Sequence, residues 1–393
     1  MANDVRQVNV TIDGWNLQFP HTGLAHVCRD YLRQLRNCWK HGDVTLVAVE
    51  GDQRGERVPM AQVPAGSKLL RHRSRNPDYL DRWQWSREMN RLPRSRKLLV
   101  PYLYNYGRVG ENVVVVPDLV YRTVRDYGGR DPAKPWWNFR GRLPFRPWVR
   151  AWEERRVMRA RRLVTWSEFV KNEIETIFRI PSDRIGVVPL AVPAWAKKEA
   201  AKAGGAEKSA GARFALYVGG FAKRKNIPLL LAACAEVKKL CPDFRMKMVG
   251  LRSAITCDAN LARAWSFLAD ARVVEALASQ DEGELGELFS ECAFCVYPSL
   301  AEGFGLPVLE AAAFGKVCIC GDNSSLREVQ TESRYRVASD SLEGWVRKLV
   351  EVWKSTESLD GSRDACLRLA SRHSEEAAGR ALATELEIAW LTE

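Results

Sequence analysis

The sequence lacks any long hydrophobic run. No stretch approaches the roughly 20 consecutive apolar residues that a membrane-spanning helix needs. The opening residues, MANDVRQVNV, show neither the basic start nor the apolar run of a signal peptide. We therefore expect the chain of 393 residues to fold in the cytoplasm. Its length suits two or three domains, at roughly 150 residues per domain.

Patterns of metal ligands are also scarce. The chain has only 5 histidines, and the CxxC formed by Cys292 and Cys295 has no second CxxC or histidine pair at the spacing of a zinc site. Both cysteines lie in an apolar run typical of a buried strand, as do Cys318 and Cys320. Since cysteine is among the most buried residue types, we predict buried free thiols and no metal site.

Acidic residues are fewer than basic ones, with 48 Asp and Glu against 60 Lys and Arg and a net charge of +12. Nucleic acid, anionic lipid and an anionic substrate would each account for this excess. Charge alone does not choose among the three.

Short apolar runs alternate with helix-length amphipathic segments along the chain, and they are continuous rather than alternating, as in strands buried on both faces. The predicted strands are 8–12, 44–49, 98–100, 113–116, 163–166 and 185–188 in the first half, and 214–218, 244–250, 273–277, 294–298 and 317–320 in the second. Strand–helix–strand alternation predicts an α/β fold of parallel sheets wound by helices.

An Ala/Lys/Gly/Glu segment with almost no large apolar side chain separates the halves, and it has too little apolar surface to join a core. We predict an N-terminal Rossmann-like domain over 1–193, a flexible linker over 194–212, a C-terminal Rossmann-like domain over 213–375 and a helix over 376–393 that packs back on the N-terminal domain. Two such domains facing a cleft would bind a ligand where the carboxyl ends of the strands meet.

A glycine-containing loop follows the predicted strand 294–298 in the segment PSLAEGFGLPVLE. Pro307 suits the first position of a helix, and Gly315 suits a left-handed residue after its end. Such a loop presents backbone N–H groups and the positive end of a helix dipole to phosphate or sugar oxygens. Glu302 and Glu310 either reach different parts of one ligand or serve as a helix-start carboxylate and a surface residue.

The EGFGLPVLE segment resembles the E-x7-E motif of retaining glycosyltransferase family 4, whose members have the GT-B fold of two Rossmann-like domains. Further segments are similar to the family in the same order: TWSEFVKNEI (165–174), RIGVVPLAV (184–192), FALYVGGFAKRKN (214–226) and SSLREV (324–329). The resemblance covers most of the chain. The residues YVGGF and RKN within 217–226 resemble those of mannosyl- and rhamnosyltransferases of bacterial surface polysaccharides.

The resemblance implies roles for the matching residues. Glu302 would contact the transferred sugar, Glu310 would hold the ribose hydroxyls, and Lys225 would pair with the diphosphate, unless it is a solvated cation. The loop residues that would offer backbone contacts to the sugar and diphosphate are Gly303, Phe304, Gly305 and Leu306. Many relatives carry an arginine where Gly220 stands, and Arg224 would then supply the missing charge. We expect either glutamate to be replaceable by alanine without loss of the fold.

Two residues of the first half resemble family positions more weakly. Gly23 matches a glycine turn that approaches the donor diphosphate, although glycine is common at such turns for steric reasons. Asp118 follows a strand where relatives often carry His-Asp, but Pro117 replaces the histidine. Asp118 either acts near the donor sugar and acceptor or caps a helix.

The resemblance also implies the reaction. Retaining transfer proceeds on one face of the sugar, the departing diphosphate helps to remove the acceptor proton, and the protein positions groups and stabilises charge. The sequence has no Asp-x-Asp pair, so we predict a metal-independent hexosyltransferase without a cofactor. GDP-mannose is the first candidate donor, UDP- and dTDP-sugars (glucosyl or rhamnosyl transfer) are alternatives, and a glycan or lipid-linked molecule is the acceptor. A non-catalytic GT-B scaffold is the rival interpretation.

Arginines are interleaved with tryptophans over 136–162, a segment with nine arginines and only two acidic residues. This mixture suits the surface of an anionic membrane, and we predict peripheral attachment to the inner face of the cytoplasmic membrane. The residues predicted to face it are Trp148, Trp152, Arg155, Arg156, Arg161 and Arg162. A domain helix with a solvated basic face is one alternative. Single-stranded nucleic acid is another, but no recognisable binding module supports it.

Overall fold

The computed structural model describes residues 7–14, 17, 23–49, 67–70, 80–101, 109–123, 146–204, 213–220, 222–250, 259–278, 280–355 and 357–392. These residues form two units. The first comprises the described residues of Met1–Pro117, Pro144–Ala191 and Ser374–Glu393, and the second those of Asp118–Leu143 and Val192–His373.

The first unit contains a seven-stranded sheet of parallel strands. The strands are β1 (Asn9–Asp13), β2 (Val44–Val49), β3 (Lys68–Leu70), β4 (Arg96–Val100), β5 (Val113–Val116), β6 (Arg162–Thr165) and β7 (Ile185–Val187). Their order is β3-β2-β1-β4-β5-β6-β7, a doubly wound arrangement. All six strands predicted for the first half are present, and β3 is an addition.

The second unit contains a six-stranded parallel sheet in the corresponding order, β10-β9-β8-β11-β12-β13. The strands are β8 (Ala215–Val218), β9 (Met246–Val249), β10 (Val274–Leu277), β11 (Phe294–Tyr297), β12 (Cys318–Gly321) and β13 (Arg336–Val337). All four residues of β11 are buried, as the continuous apolar run predicts for a central strand. The predicted α/β class with two doubly wound sheets is confirmed.

Helices flank both sheets. They are α1 (Gly23–Cys38), α2 (Leu80–Arg91), α3 (Val120–Thr123), α4 (Arg146–Met158), α5 (Glu168–Phe178), α6 (Ala194–Ala203), α7 (Ile227–Leu240), α8 (Ala259–Asp270), α9 (Glu282–Glu291), α10 (Leu306–Ala313), α11 (Leu326–Val329), α12 (Leu342–Lys354), α13 (Glu357–Arg372) and α14 (Glu375–Trp390). No helix within the described ranges combines the length and the apolar character that crossing a bilayer requires.

Helix α14 packs on α1 within the first unit. A Cβ atom at Gly379 would lie 2.9 Å from the Sγ atom of Cys38, so the two helices approach closely at this glycine. The carboxylate of Glu375 accepts a hydrogen bond from Arg33, and that of Glu387 lies 2.9 Å from the Nε2 atom of His41. The last helix of the chain is therefore part of the first unit.

The segment predicted as a flexible linker needs correction in its first part. Residues Ala194–Ala203 form helix α6, because alanine is the strongest helix former and the ring of Trp195 anchors the helix. Trp195 is buried with its ring centroid 6.0 Å from that of Phe289 on α9. Residues 205–212 lie outside the described residues.

The described cysteines are all free thiols, and all are buried except the half-buried Cys38 and Cys366. The sulfur atoms of Cys292 and Cys295 lie 3.8 Å apart without a bond between them. The prediction of free thiols is therefore confirmed for these residues. A cluster of three His, Cys, Asp or Glu side chains able to hold a metal ion is absent from the part of the chain that the structure describes.

Candidate functional site

The candidate site surrounds the loop between β11 and α10 in the second unit. Gly305 ends this loop with a φ angle of 114°, and a Cβ atom there would lie 2.6 Å from a methyl carbon of Leu326. Only glycine fits both restrictions. Helix α10 begins at Leu306, so Pro307 is the second helical residue rather than the predicted first.

The far end of α10 has the geometry that the sequence predicts. Gly315 has a left-handed φ of 66°. The N–H groups of Gly315 and Lys316 donate to the carbonyls of Ala312 and Ala311, both at 2.9 Å. This pair of bonds closes the helix in a Schellman motif.

Glu302 lies at the start of the loop and is only 7% exposed. Its Oε1 atom accepts hydrogen bonds from the Nζ atom of Lys225 at 2.8 Å, from Ser299 Oγ at 2.5 Å and from the guanidinium of Arg224. Lys225 and Arg224 lie on the turn that follows β8, the parallel neighbour of β11. The carboxyl ends of these two strands meet at one edge of the sheet and bring the three predicted residues together.

The charges of this cluster fix the ionisation of Glu302. Burial alone would raise the pKa of this carboxyl, but Lys225 and Arg224 outweigh burial and hold the pKa at about 2. Burial lowers the pKa of the Lys225 ammonium, and the carboxylate of Glu302 counteracts that effect. Glu302 is therefore not a helix-start carboxylate but the anionic centre of a buried ion cluster.

Lys225 is 9% exposed, which contradicts the alternative of a solvated cation. Its ammonium also donates to the hydroxyl of Tyr297 and lies 4.4 Å from the centroid of that ring. Tyr297 and Ser299 were not predicted as site residues. Their spacing indicates a shared position, because residues two apart at the end of a strand project from the same face.

Glu310 lies on α10 and is half-buried. Burial raises the pKa of its carboxyl to about 7, and the charge of Lys225 offsets only part of this effect. Glu310 is therefore not an ordinary surface carboxylate. The charge of Lys225 acts on both glutamates of the motif.

Asp118 makes the helix-start contact that is one of the two roles left open for it. Its Oδ1 atom accepts a hydrogen bond from the N–H of Val120, the first residue of α3, at 3.1 Å. Burial raises the pKa of Asp118, while Arg224 and Lys225 lower it and Glu302 raises it. The carboxyl thus supports the start of α3 and lies within the electrostatic field of the cluster.

Gly23, a predicted donor-site residue, and Gly220, which stands where relatives carry an arginine, belong to different units. Gly23 is the first residue of α1 in the first unit. Gly220 is exposed, and a Cβ atom there would meet nothing within 4 Å. Arg224 instead brings its charge directly to Glu302 in the second unit.

The predicted membrane-facing residues divide into two groups. For Arg161 and Arg162 the prediction is wrong, because their side chains are occupied within the first unit. Arg161 donates to the carbonyl of Ala389, and Arg162, only 11% exposed, pairs with Glu385, so both arginines bind α14. On α4, Trp152 is 51% exposed and the guanidinium carbon of Arg156 lies 4.7 Å from its ring centroid.

Of the other arginines of this segment, Arg155 lies on α4 and Arg159 follows the end of that helix. Arg155 and Arg159 are exposed. The side chain of Trp148 and residues 136–145 lie outside the described residues.

Comparison with known proteins gives one family. The family described as Glycosyl transferases group 1 matches residues 200–361. O-antigen chain mannosyltransferase B of Escherichia coli is 31% identical over 192 residues, which are 43% of this chain and 45% of that protein. The chain thus spans less than half the length of this relative.

Solved structures resemble the chain over nearly its whole length. WaaG, a glycosyltransferase involved in lipopolysaccharide biosynthesis, has a TM-score of 0.64 at 15% identity, covering 96% of this chain and 98% of that chain. HepE of Anabaena, in complex with UDP and glucose, has a TM-score of 0.67 at 11% identity, covering 97% of this chain and 100% of that chain. The chain has the GT-B fold.

Proposed function

From the match of residues 200–361 to group 1 glycosyl transferases, carried on a GT-B fold, we propose that the chain transfers a hexose from a nucleotide sugar to a glycan or lipid-linked acceptor of a surface polysaccharide. The observation that carries this proposal is the ion cluster of Glu302, Lys225 and Arg224 at the start of the loop that leads into α10. It joins two cations, an anionic carboxylate and a helix N-terminus at one edge of a sheet.

This cluster suits a nucleoside diphosphate with a sugar attached. Lys225 and Arg224 would bind the diphosphate oxygens together with N–H groups at the start of α10, whose dipole favours negative charge. Glu302 stays ionised and would contact the sugar, and Glu310 would accept the ribose hydroxyls. Asp118 would lie near the donor sugar and acceptor.

The proposed reaction retains the configuration of the sugar. The bond from C1 of the sugar to the phosphate oxygen breaks, and a bond from C1 to the acceptor oxygen forms on the same face. The acceptor proton passes to the departing diphosphate. The two cations and the N–H donors stabilise the charge that develops on that leaving group.

We propose GDP-mannose as the donor, supported by the mannosyltransferase among the relatives and by the sequence resemblance. Transfer would need no metal and no cofactor. The test incubates purified protein with GDP-mannose, UDP-glucose and dTDP-rhamnose, with and without a chelator, and measures release of the nucleoside diphosphate. Turnover confined to GDP-mannose and unaffected by chelation is expected. Loss on chelation that magnesium restores would refute metal independence, and no turnover with any donor would favour a non-catalytic scaffold.

A second proposal concerns α4. The exposed Trp152, with Arg156 against its ring and the exposed Arg155 and Arg159 nearby, has the composition that binds anionic lipid. Such a surface would attach the protein peripherally to the inner face of the cytoplasmic membrane, where a lipid-linked acceptor is found.

A further inference from the structure

Ser325 hydrogen-bonds to the loop between β11 and α10. It is fully buried, and its Oγ atom lies 2.8 Å from the carbonyl oxygen of Glu302 and 2.9 Å from that of Phe304. One hydroxyl proton is shared between these two acceptors in a three-centre bond. A serine immediately before a helix usually caps it through the side chain, but Ser325 makes no such bond to α11. Its hydroxyl is committed to the loop.

Ser324 hydrogen-bonds to the same loop, at the N–H rather than the carbonyl of Glu302. Its Oγ atom accepts the N–H of Glu302 at 3.0 Å and donates to Asn323 Oδ1 at 2.7 Å. Ser324 has a φ angle of 43°, a left-handed conformation that is uncommon for a residue with a Cβ atom. The amide of Asn323 in turn donates to the carbonyl of Ser299 at 2.8 Å.

These bonds fix the direction of the N–H groups in the loop. In a trans peptide the carbonyl and the N–H of one plane point in opposite directions. Because Ser325 draws the carbonyls of Glu302 and Phe304 toward itself, the N–H groups of Gly303 and Gly305 point away from Ser325. Ser324 fixes the peptide plane that precedes Glu302 in the same way.

We infer that Ser324 and Ser325 are positioning residues for the diphosphate site, an inference that rests on the proposed function. They orient the peptide planes from Glu302 to Gly305, so that the N–H of Gly305 is held in a fixed direction for the anion without reorganisation of the loop. Neither serine touches the ligand. Their effect extends beyond the stability of the fold to the affinity of the loop for a diphosphate.

The test separates positioning from stability with two variants and two controls. Ser324→Gly removes the acceptor of the Glu302 N–H and also the strain of the left-handed φ, whereas Ser324→Ala removes the acceptor and keeps the strain. Ser325→Ala removes the shared hydroxyl. Ser362→Ala is the matched control, because Ser362 is equally buried and its hydroxyl bonds to Tyr335 at 2.6 Å, away from the loop. Binding of GDP, UDP and inorganic pyrophosphate to the full chain is measured by calorimetry, beside the melting temperature.

We expect Ser324→Gly to bind GDP about tenfold more weakly than wild type, with an unchanged or higher melting temperature. Ser325→Ala should lose about as much affinity, and Ser362→Ala should bind like wild type even where its melting temperature falls as far. Wild-type affinity in either Ser324→Gly or Ser325→Ala would overturn the inference alone. A wild-type protein that binds none of the three ligands would overturn the proposed function and the inference with it.

Discussion

Tyr297 contributes a hydroxyl that holds the ammonium of Lys225, and its ring lies under the same charge. Tyr297→Phe keeps the ring and removes only the hydroxyl. Because a hydrogen bond contributes about 0.5–1.5 kcal/mol, we expect the affinity for the donor to fall about 3- to 10-fold. Calorimetry with GDP measures this, and Tyr335→Phe, which loses a buried hydroxyl bonded to Ser362, is the control. Equal affinity in wild type and Tyr297→Phe would show that Lys225 needs no such partner.

Glu310 should make the stability of the protein depend on pH. Burial raises the pKa of its carboxyl from 4.5 to about 7, so the folded state holds this proton more tightly than the unfolded state. Stability therefore falls as the pH rises from 4.5 through 7, by about 1–3 kcal/mol after allowance for partial exposure. We expect Glu310→Gln to melt higher than wild type at pH 8 and at the same temperature near pH 4.5. A difference that does not change with pH would contradict this assignment.

Glu302 should act in the opposite direction at lower pH. The pKa of its carboxyl falls from 4.5 to about 2, so its stabilisation is complete above pH 4.5 and is lost as the pH falls toward 2. The shift corresponds to about 3 kcal/mol. Glu302→Ala would leave two cations without their partner, a loss of about 3–5 kcal/mol. The expectation that alanine leaves the fold intact stays a prediction, and a denaturation curve of Glu302→Ala tests it against this loss. We expect Glu302→Gln to lose turnover. Its free energy of unfolding, measured with urea at several pH values, should fall less than that of wild type between pH 5 and 2. An equal fall in both proteins would refute the ion cluster.

At the scale of elements, the buried apolar strands were predictable, as was the three-residue edge strand β7, but the edge strands β3 and β13 were not. β5 and β11 are buried runs of four apolar residues, which give a continuous signal. β3 (KLL) and β13 (RV) have only three and two residues, and one residue in each is basic, so neither gives a continuous apolar run of more than two residues. Helix α6 was hidden because a count of apolar residues gives little weight to a single tryptophan.

The site was predictable as far as its motif and no further. The spacing of Glu302 and Glu310, together with the basic turn that contains Lys225, identified the charged groups of the site. Which cation meets which carboxylate depends on the pairing of β8 with β11, and sequence order does not contain that information. The partners of Arg161 and Arg162 lie on α14, more than two hundred residues further along the chain.

Arg162 should therefore affect stability rather than lipid binding. Its guanidinium pairs with Glu385 where both side chains are little exposed, at 11% and 15%. Arg162→Glu would place two carboxylates together, and we expect a loss of about 3–5 kcal/mol of stability. Urea denaturation measures the loss, and the reversed pair Arg162→Glu with Glu385→Arg should recover part of it. No recovery in the double variant would show that the pair is not the cause.

At the scale of the whole molecule, the proposed lipid-binding surface around α4 carries part of the net charge of +12. Reversal of Arg155 and Arg159 to Glu should weaken binding to vesicles of anionic lipid at least 10-fold, since each basic residue near such a surface contributes about 1 kcal/mol. Binding should also fall as salt rises. The control reverses Arg36 and Lys40, exposed residues of the same unit, for the same change in net charge. Equal vesicle sedimentation of both double variants would remove the membrane proposal.

The position of α14 has a consequence for synthesis. Leu382 and Leu386 of this helix have no exposed surface, and the indole N–H of Trp390 donates to the carbonyl of Glu111 at 3.2 Å. The core of the first unit is therefore incomplete until these residues have left the ribosome. Every described residue of the second unit lies at or before His373. Since domains fold as units while the chain is being made, the unit whose strands are translated first is the one that matures last.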